Sequence, residues 1–206
     1  MFGEMRAALG IDKETDILDH IYELPTPDEQ DAAFDKIRAI ERRAMASQKP
    51  QPGLVQLMDY LDDRGVPKGI CTRNFDTPVN HLLTRFLAGH RFHPIVTRDF
   101  RPPKPDPAGI LHIAGEWGLG DDGGKGLIMV GDSLDDMTAG YRAGAATVLL
   151  VNEANAHLAG HEHTDLCVKR LDGLIAILEN GFVGQIGQGD EEPDTRAQAE
   201  EALKRS

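Results

Sequence analysis

Residues 127–145 read LIMVGDSLDDMTAGYRAGA. Leu127 to Val130 form a short apolar run that passes through Gly131 straight into three carboxylates, Asp132, Asp135 and Asp136, after which the pattern becomes helical. A short apolar run that ends in glycine and gives way to a helix is a strand–turn–helix unit with a buried strand. Carboxylates at a helix start are favoured by the helix dipole, so capping accounts for any one of the three. It does not account for Asp132, which stands directly at the strand tip. Hard oxygen ligands at a strand end suit Mg²⁺, which is typically bound by one or two carboxylates together with waters and substrate phosphate.

The same grammar extends in both directions. Upstream, residues 49–65 (KPQPGLVQLMDYLDDRG) predict a helix, residues 66–72 (VPKGICT) a buried strand, and residues 76–89 a helix capped by Asp76. Residues 93–97 (HPIVT) predict a second strand and residues 105–119 a helix. Downstream of the opening segment, TVLLV at 147–151 predicts a strand and LDGLIAILENG at 171–181 a last helix. Strands alternating with helices make a parallel sheet covered on both faces, an α/β doubly wound, Rossmannoid architecture. Such sheets bind ligands at the carboxyl ends of their strands. Two more of those ends carry notable residues. In GICTRN (69–74) an apolar strand delivers Thr72 and Asn74 into a turn whose free N–H groups and hydroxyl suit a phosphate oxygen; a capped helix start is the structural alternative. In RPPKPDP (101–107) the prolines fix the backbone around Lys104 and aim an ammonium at an anion, although a lone lysine in such a loop is ordinarily plain surface.

The 206 residues include 22 basic and 34 acidic ones, a formal net charge of −12 that disfavours nucleic acid and anionic lipid as partners. With 40% hydrophobic and 27% charged residues the chain has the composition of an ordinary globular protein. Cys71 and Cys167 make no disulfide framework, no stretch approaches the roughly 20 apolar residues of a membrane span, and the first residues lack the features of a secretory or transit peptide. These features predict a cytoplasmic protein. Residues 1–48 carry apolar positions at helical spacing, interrupted by Pro25 and Pro27, with Thr26 and Glu29 spaced as a capping box. They predict a small helical module ahead of an α/β core over 49–184, and the polar, acidic residues 185–206 predict a mobile tail.

The three strand ends, in this order and spacing, resemble the haloacid dehalogenase superfamily, in particular its small phosphoglycolate-phosphatase-like members, over most of residues 1–182. The resemblance implies a Mg²⁺-dependent phosphatase of a small phosphorylated metabolite. Thr72 falls on the family's phosphoryl-binding Ser/Thr and Lys104 on its charge-stabilising lysine. Asp132 falls on the metal ligand and Asp136 on the second acidic position, which supports the metal shell. Arg73 and Asn74, beside Thr72, are placed to contact substrate, and residues 1–48 resemble the family's helical cap, which selects it.

The resemblance has one departure. The family's chemistry uses an aspartate at the end of a first strand in the pattern D-x-D-G-T, the first aspartate forming an aspartyl-phosphate and the second acting as acid and then base. Residues 1–206 contain no such motif. Asp12, Asp16 and Asp19 lie on an amphipathic helix pattern, and Asp76 and Asp106 sit in helix-start contexts. In the family the first strand lies between the strands ending at Thr72 and at Asp132, so its absence predicts two inner strand edges without a neighbour. The expectation is therefore a truncated or misannotated form of a longer enzyme, inactive as given. A non-catalytic phosphate-ligand-binding or regulatory pseudophosphatase is the alternative, and a phosphomutase or dehalogenase on the same fold a third. The remaining features read as structure: Cys71 as a strand residue, Trp117 as packing, and His157, His161 and His163 as an exposed polar loop rather than a metal site.

Overall fold

The computed structural model describes residues 2–119 and 123–181, so the tail expected over 185–206 lies outside the described residues. Two compact units divide between Lys49 and Pro50. The first is helical, with α1 (Phe2–Leu9), α2 (Ile17–Tyr22) and α3 (Pro27–Ser47). The capping box at its centre forms: the Thr26 hydroxyl accepts from the Glu29 amide at 3.3 Å, and the Glu29 carboxylate accepts from the Thr26 amide at 3.2 Å. Pro27 follows at the first helical position, where a missing N–H costs nothing. Met5, Ile17, Ile21 and Ile37 are the most deeply buried side chains of this unit. Two of the acidic residues expected on a helix lie outside one. Asp12 closes a turn by accepting from the Thr15 amide at 2.8 Å, and Asp16 caps α2 by accepting from the Leu18 amide at 2.8 Å.

The second unit alternates helices and strands: α4 (Leu54–Asp63), β1 (Ile70–Cys71), α5 (Asp76–Phe86), β2 (Ile95–Val96), α6 (Ala108–Glu116), β3 (Ile128–Gly131), α7 (Leu134–Ala143), β4 (Ala146–Leu150), a 3-10 turn (Ala156–Gly160), β5 (Leu166–Val168) and α8 (Gly173–Asn180). Every strand pair is parallel, as the alternation requires. Two local expectations are corrected. Asp76 is the first residue of α5 and not its cap; Phe75 holds the cap position without a side-chain hydrogen bond. β5 was not legible in the sequence, because its three apolar residues are too few to show a period between His163–Asp165 and Lys169–Arg170.

The strands form two sheets, β1–β2 and β3–β4–β5, and no hydrogen-bonded pair joins β1 to β3 among the described residues. The two sheets nevertheless share a core on one face. On one face, Cys71 of β1 and Met129 of β3 pack against a core of Ile110, Ala114, Leu127, Ala139 and Ala143 from the α6 and α7 region. On the other, Val130, Val148 and Val168 pack against Leu57 and Met58 of α4, Leu83 and Phe86 of α5, and Leu174 of α8. Burial differs from strand to strand, and β5, with β4 as its one strand partner among the described residues, is buried throughout. In β4, paired on both edges, Thr147, Val148 and Leu149 are fully buried, whereas Ile128 of β3 is 40% exposed and β1 is only half-buried. This corrects the expectation that the strands ending at Thr72 and Asp132 are buried: among the described residues each is half-buried or partly exposed, and the two are not hydrogen-bonded to one another.

Helix α7 crosses the larger sheet at close range. A Cβ on Gly140 would stand 2.7 Å from Cβ of Met129 and 2.9 Å from Cγ2 of Thr147. Gly140→Ala gains about 1 kcal/mol of helix propensity against an overpacking cost of about 1–3 kcal/mol. The expected outcome is a lower urea midpoint with an unchanged slope; a raised midpoint would contradict so close an approach.

Candidate active site

The alternation of a strand's hydrogen bonds places the first element of the site. The amides of Ile70 and Thr72 donate to Pro94 and Val96 at 3.1 and 2.8 Å, towards β2, so the carbonyl of Cys71 between them faces the free edge of β1. That carbonyl accepts from Nζ of Lys104 at 2.5 Å. The same ammonium donates to Oδ1 of Asp136 at 2.5 Å. Lys104 therefore ties the edge of β1 to the first turn of α7, with side-chain exposures of 8% for Lys104 and 11% for Asp136.

Asp136 belongs to two structures at once. Its Oδ2 accepts from the Asp132 amide at 3.1 Å, the Ser133 amide at 3.2 Å and the Ser133 hydroxyl at 2.8 Å, while Oγ of Ser133 accepts from the Asp136 amide at 3.2 Å, a complete capping box for α7. Burial raises the carboxyl's pKa, but the Lys104 charge and these donors outweigh it and hold Asp136 below its usual value. Gly131 makes room for this: a Cβ there would lie 2.4 Å from that of Asp136. Asp132 is the opposite case. Its carboxyl is pushed up, by burial and then by the neighbouring Asp136 charge. The two carboxylates have separate positions, one neutralised by lysine and one left wanting a cation.

Thr72 follows β1 and lines one small cavity with Cys71, Thr97, Pro103 and Lys104. Its Oγ1 accepts from the Asn74 amide at 3.1 Å, which leaves the hydroxyl hydrogen available. Asn74 keeps a buried Oδ1 without a hydrogen-bond partner. Arg73 pairs with Asp135, joining the turn after β1 to α7 a second time. Two further residues build the site without having shown themselves in the sequence. Arg98, 4% exposed, donates from its amide to the Asn74 carbonyl at 3.0 Å and from Nη1 to the Arg73 carbonyl at 3.3 Å. Asn155 donates to the Asp132 carbonyl at 2.8 Å. Neither lies in a pattern that periodicity or turn chemistry singles out.

For Mg²⁺ the residues fit in part. The described residues gather no three acidic, histidine or cysteine groups able to hold a metal. Asp132 has the right chemistry for a direct ligand, a hard oxygen without a salt bridge among the described residues. Asp136 fits as support, since both its oxygens are occupied. The histidines of the 157–163 loop also form no metal group, but His163 is not an exposed loop residue. It stacks on Tyr141 at 4.3 Å between ring centroids and shares a 2.9 Å hydrogen bond with the Thr138 hydroxyl. Cys71 is a half-buried strand residue whose thiol is raised by burial, against nucleophilic use.

Breaking a buried ion pair by removing one partner costs about 3–5 kcal/mol, because the other charge stays buried and uncompensated. Lys104→Met is therefore expected to lower stability strongly in urea unfolding, and Lys104→Met with Asp136→Asn to recover part of the loss. Equal stability of Lys104→Met and the wild type would contradict the pairing.

Residues 3–144 match the family described as haloacid dehalogenase-like hydrolase. The chain is 45% identical over 185 residues to an uncharacterized hydrolase of Saccharomyces cerevisiae, covering 87% of this chain and 84% of that one. It is 27% identical over 108 residues to a phosphoglycolate phosphatase of Haemophilus influenzae, covering 52% of this chain and 47% of that one, so the chain spans about half of the phosphatase's length. Among solved structures, a hydrolase from Pseudomonas syringae superposes with a TM-score of 0.63 at 23% identity, covering 86% of this chain and 88% of that one, a likeness of fold. No helix among the described residues is long and apolar enough to cross a membrane. With an acidic strand-end motif, a buried lysine beside it and a threonine at a neighbouring strand end, the chain belongs to the haloacid dehalogenase-like hydrolases.

Proposed function

We propose that the chain is the phosphate-binding and metal-binding part of a phosphatase acting on a small phosphorylated metabolite. The observation that carries this reading is Lys104, whose ammonium is held at the strand ends beside Thr72 and two carboxylates of unlike character. Thr72 donates its hydroxyl hydrogen to one phosphoryl oxygen, and Lys104 sets positive charge against the developing negative charge. Asp136 restrains the ammonium and leaves Asp132 as the carboxylate for Mg²⁺. Bound there, magnesium would neutralise charge on the phosphoryl group and orient it. Arg73 and Asn74 stand beside Thr72 for the rest of the substrate, and the helical unit that starts the chain acts as the cap that selects it. Free Cys71 and Cys167 agree with a cytoplasmic setting.

Group transfer in this family begins at an aspartate of a D-x-D-G-T strand, and residues 1–206 do not contain that motif. The proposal therefore includes the absence of turnover by residues 1–206 through that route. The same observation favours a second reading, a non-catalytic binder of phosphorylated ligands.

Purified residues 1–206 are expected to hydrolyse p-nitrophenyl phosphate in Mg²⁺ no faster than their Asp132→Ala variant. Robust hydrolysis that disappears in Asp132→Ala would overturn that part of the proposal. Calorimetry with inorganic phosphate is expected to give binding that Lys104→Met abolishes; heat unaffected by that substitution would place the anion elsewhere. Fusing an apolar strand ending in D-x-D-G-T ahead of residue 1 separates the two readings, since gain of hydrolysis favours the phosphatase and continued binding without hydrolysis favours the binder.

A further inference from the structure

Asp132 is held by its backbone on both sides. Its amide donates to Asp136, as described above, and its carbonyl accepts from Nδ2 of Asn155 at 2.8 Å. The other hydrogen of the same amide group goes to the Leu150 carbonyl at 2.9 Å. Oδ1 of Asn155 accepts from the Asn152 amide at 2.6 Å. Asn155 is 6% exposed, so its side chain is buried with its oxygen and both nitrogen hydrogens in use. The positions of the two carbonyls give these bonds their meaning. The β3–β4 register pairs Gly131 with Leu149, and Asp132 and Leu150 are the next residue of each chain. The carboxamide of Asn155 donates to both of them where the ladder ends.

We infer that Asn155 is a positioning residue for Asp132: by fixing the Asp132 carbonyl against the end of β4, it sets the direction in which the Asp132 side chain leaves the backbone. The inference rests on the reading of Asp132 as the direct Mg²⁺ ligand. Without Asn155, two partly buried carbonyls lose a donor, and the peptide between Asp132 and Ser133 is free to rotate about the one remaining anchor, the Asp136 carboxylate. Partners outside the ligand set that orient a ligand typically change metal affinity by about 10- to 100-fold when removed. The residues around Asn155 provide a control. Thr164 is equally buried, and its hydroxyl donates at 3.0 Å to the carbonyl of Leu158, in the 3-10 turn that Asn155 precedes, with no bond to Asp132. Loss of a buried hydrogen bond in this turn can thus be separated from loss of the tie to Asp132.

The test is a titration of residues 1–206 with Mg²⁺ alone, followed through the Asp132 and Ser133 amide signals by NMR, for the wild type, Asn155→Ala, Asn155→Asp and Thr164→Val. Asn155→Asp keeps size and the Oδ1 acceptor but removes both donors. The expected result is an affinity weakened about 10- to 100-fold in both Asn155 variants, with Thr164→Val within about twofold of the wild type. Equal affinity in the wild type and both Asn155 variants would overturn the inference while leaving the Mg²⁺ reading intact. Equal weakening in Thr164→Val would also overturn it, because the effect would then belong to the turn's stability. If the wild-type signals do not respond to Mg²⁺, the metal reading fails, and metal-free amide exchange decides the positioning role. Exchange at the Asp132 amide is expected to accelerate at least about tenfold relative to β4 in Asn155→Ala, by the loss of one of two anchors; an unchanged ratio overturns it. Should Asn155→Ala not fold, Asn155→Ser, which keeps a short donor, takes its place in both arms.

Discussion

A single ammonium joins the two halves of the α/β unit at the strand ends. Lys104 reaches from the proline-rich loop after β2, places one hydrogen bond on the outward carbonyl of Cys71 and another on Asp136 at the start of α7. On the β1 side it satisfies a backbone acceptor that has no strand hydrogen-bonded beside it among the described residues. On the α7 side it neutralises a carboxylate that burial would otherwise drive towards protonation. The local conformation of residues 131–136 depends on that neutralisation, because the ionised Asp136 collects the amides of Asp132 and Ser133 and so fixes the turn. Sheet edge, helix cap and candidate phosphate site share one charge.

This arrangement explains how two carboxylates four residues apart come to differ. Asp136 is surrounded by donors and held ionised; Asp132, with its backbone fully bonded and its carboxyl partly desolvated, is raised. A site built this way already contains its lysine counter-charge and leaves a second negative position for a cation. The Arg73–Asp135 pair closes the same junction nearer the surface, so the third carboxylate of the motif is an anchor for the turn after β1.

Much of this was legible in the sequence because it is written in local patterns. The capping box at Thr26 and Glu29 and the strand run into Gly131 follow from period and turn chemistry, whereas Thr72, Lys104, Asp132 and Asp136 were singled out together by the order and spacing that carry the family resemblance. For Asp136 the capping reading holds, since its carboxylate completes the box with Ser133 while it also pairs with Lys104. What was not legible depends on long-range contact. Arg98 and Asn155 act through backbone groups 25 and 23 residues away in sequence, which no local pattern records. The half-buried state of β1 and the exposure of Ile128 depend on what packs over each strand in three dimensions, and β5 is too short to carry a period. His163 looked like loop because the partner that buries it, Tyr141, lies on α7.

Under the proposed function, phosphate and metal meet at the ends of β1 and β3, on Thr72, Lys104 and Asp132. A crystal structure of residues 1–206 grown with inorganic phosphate and Mn²⁺, read by anomalous scattering, tests it most directly. The expected result is phosphate within hydrogen-bond distance of the Thr72 hydroxyl and Lys104 Nζ, with the metal peak at coordinating distance, about 2.0–2.2 Å, from the Asp132 carboxylate. Phosphate bound away from Thr72 and Lys104, or a metal peak at the His161–His163 loop with none at Asp132, would contradict it.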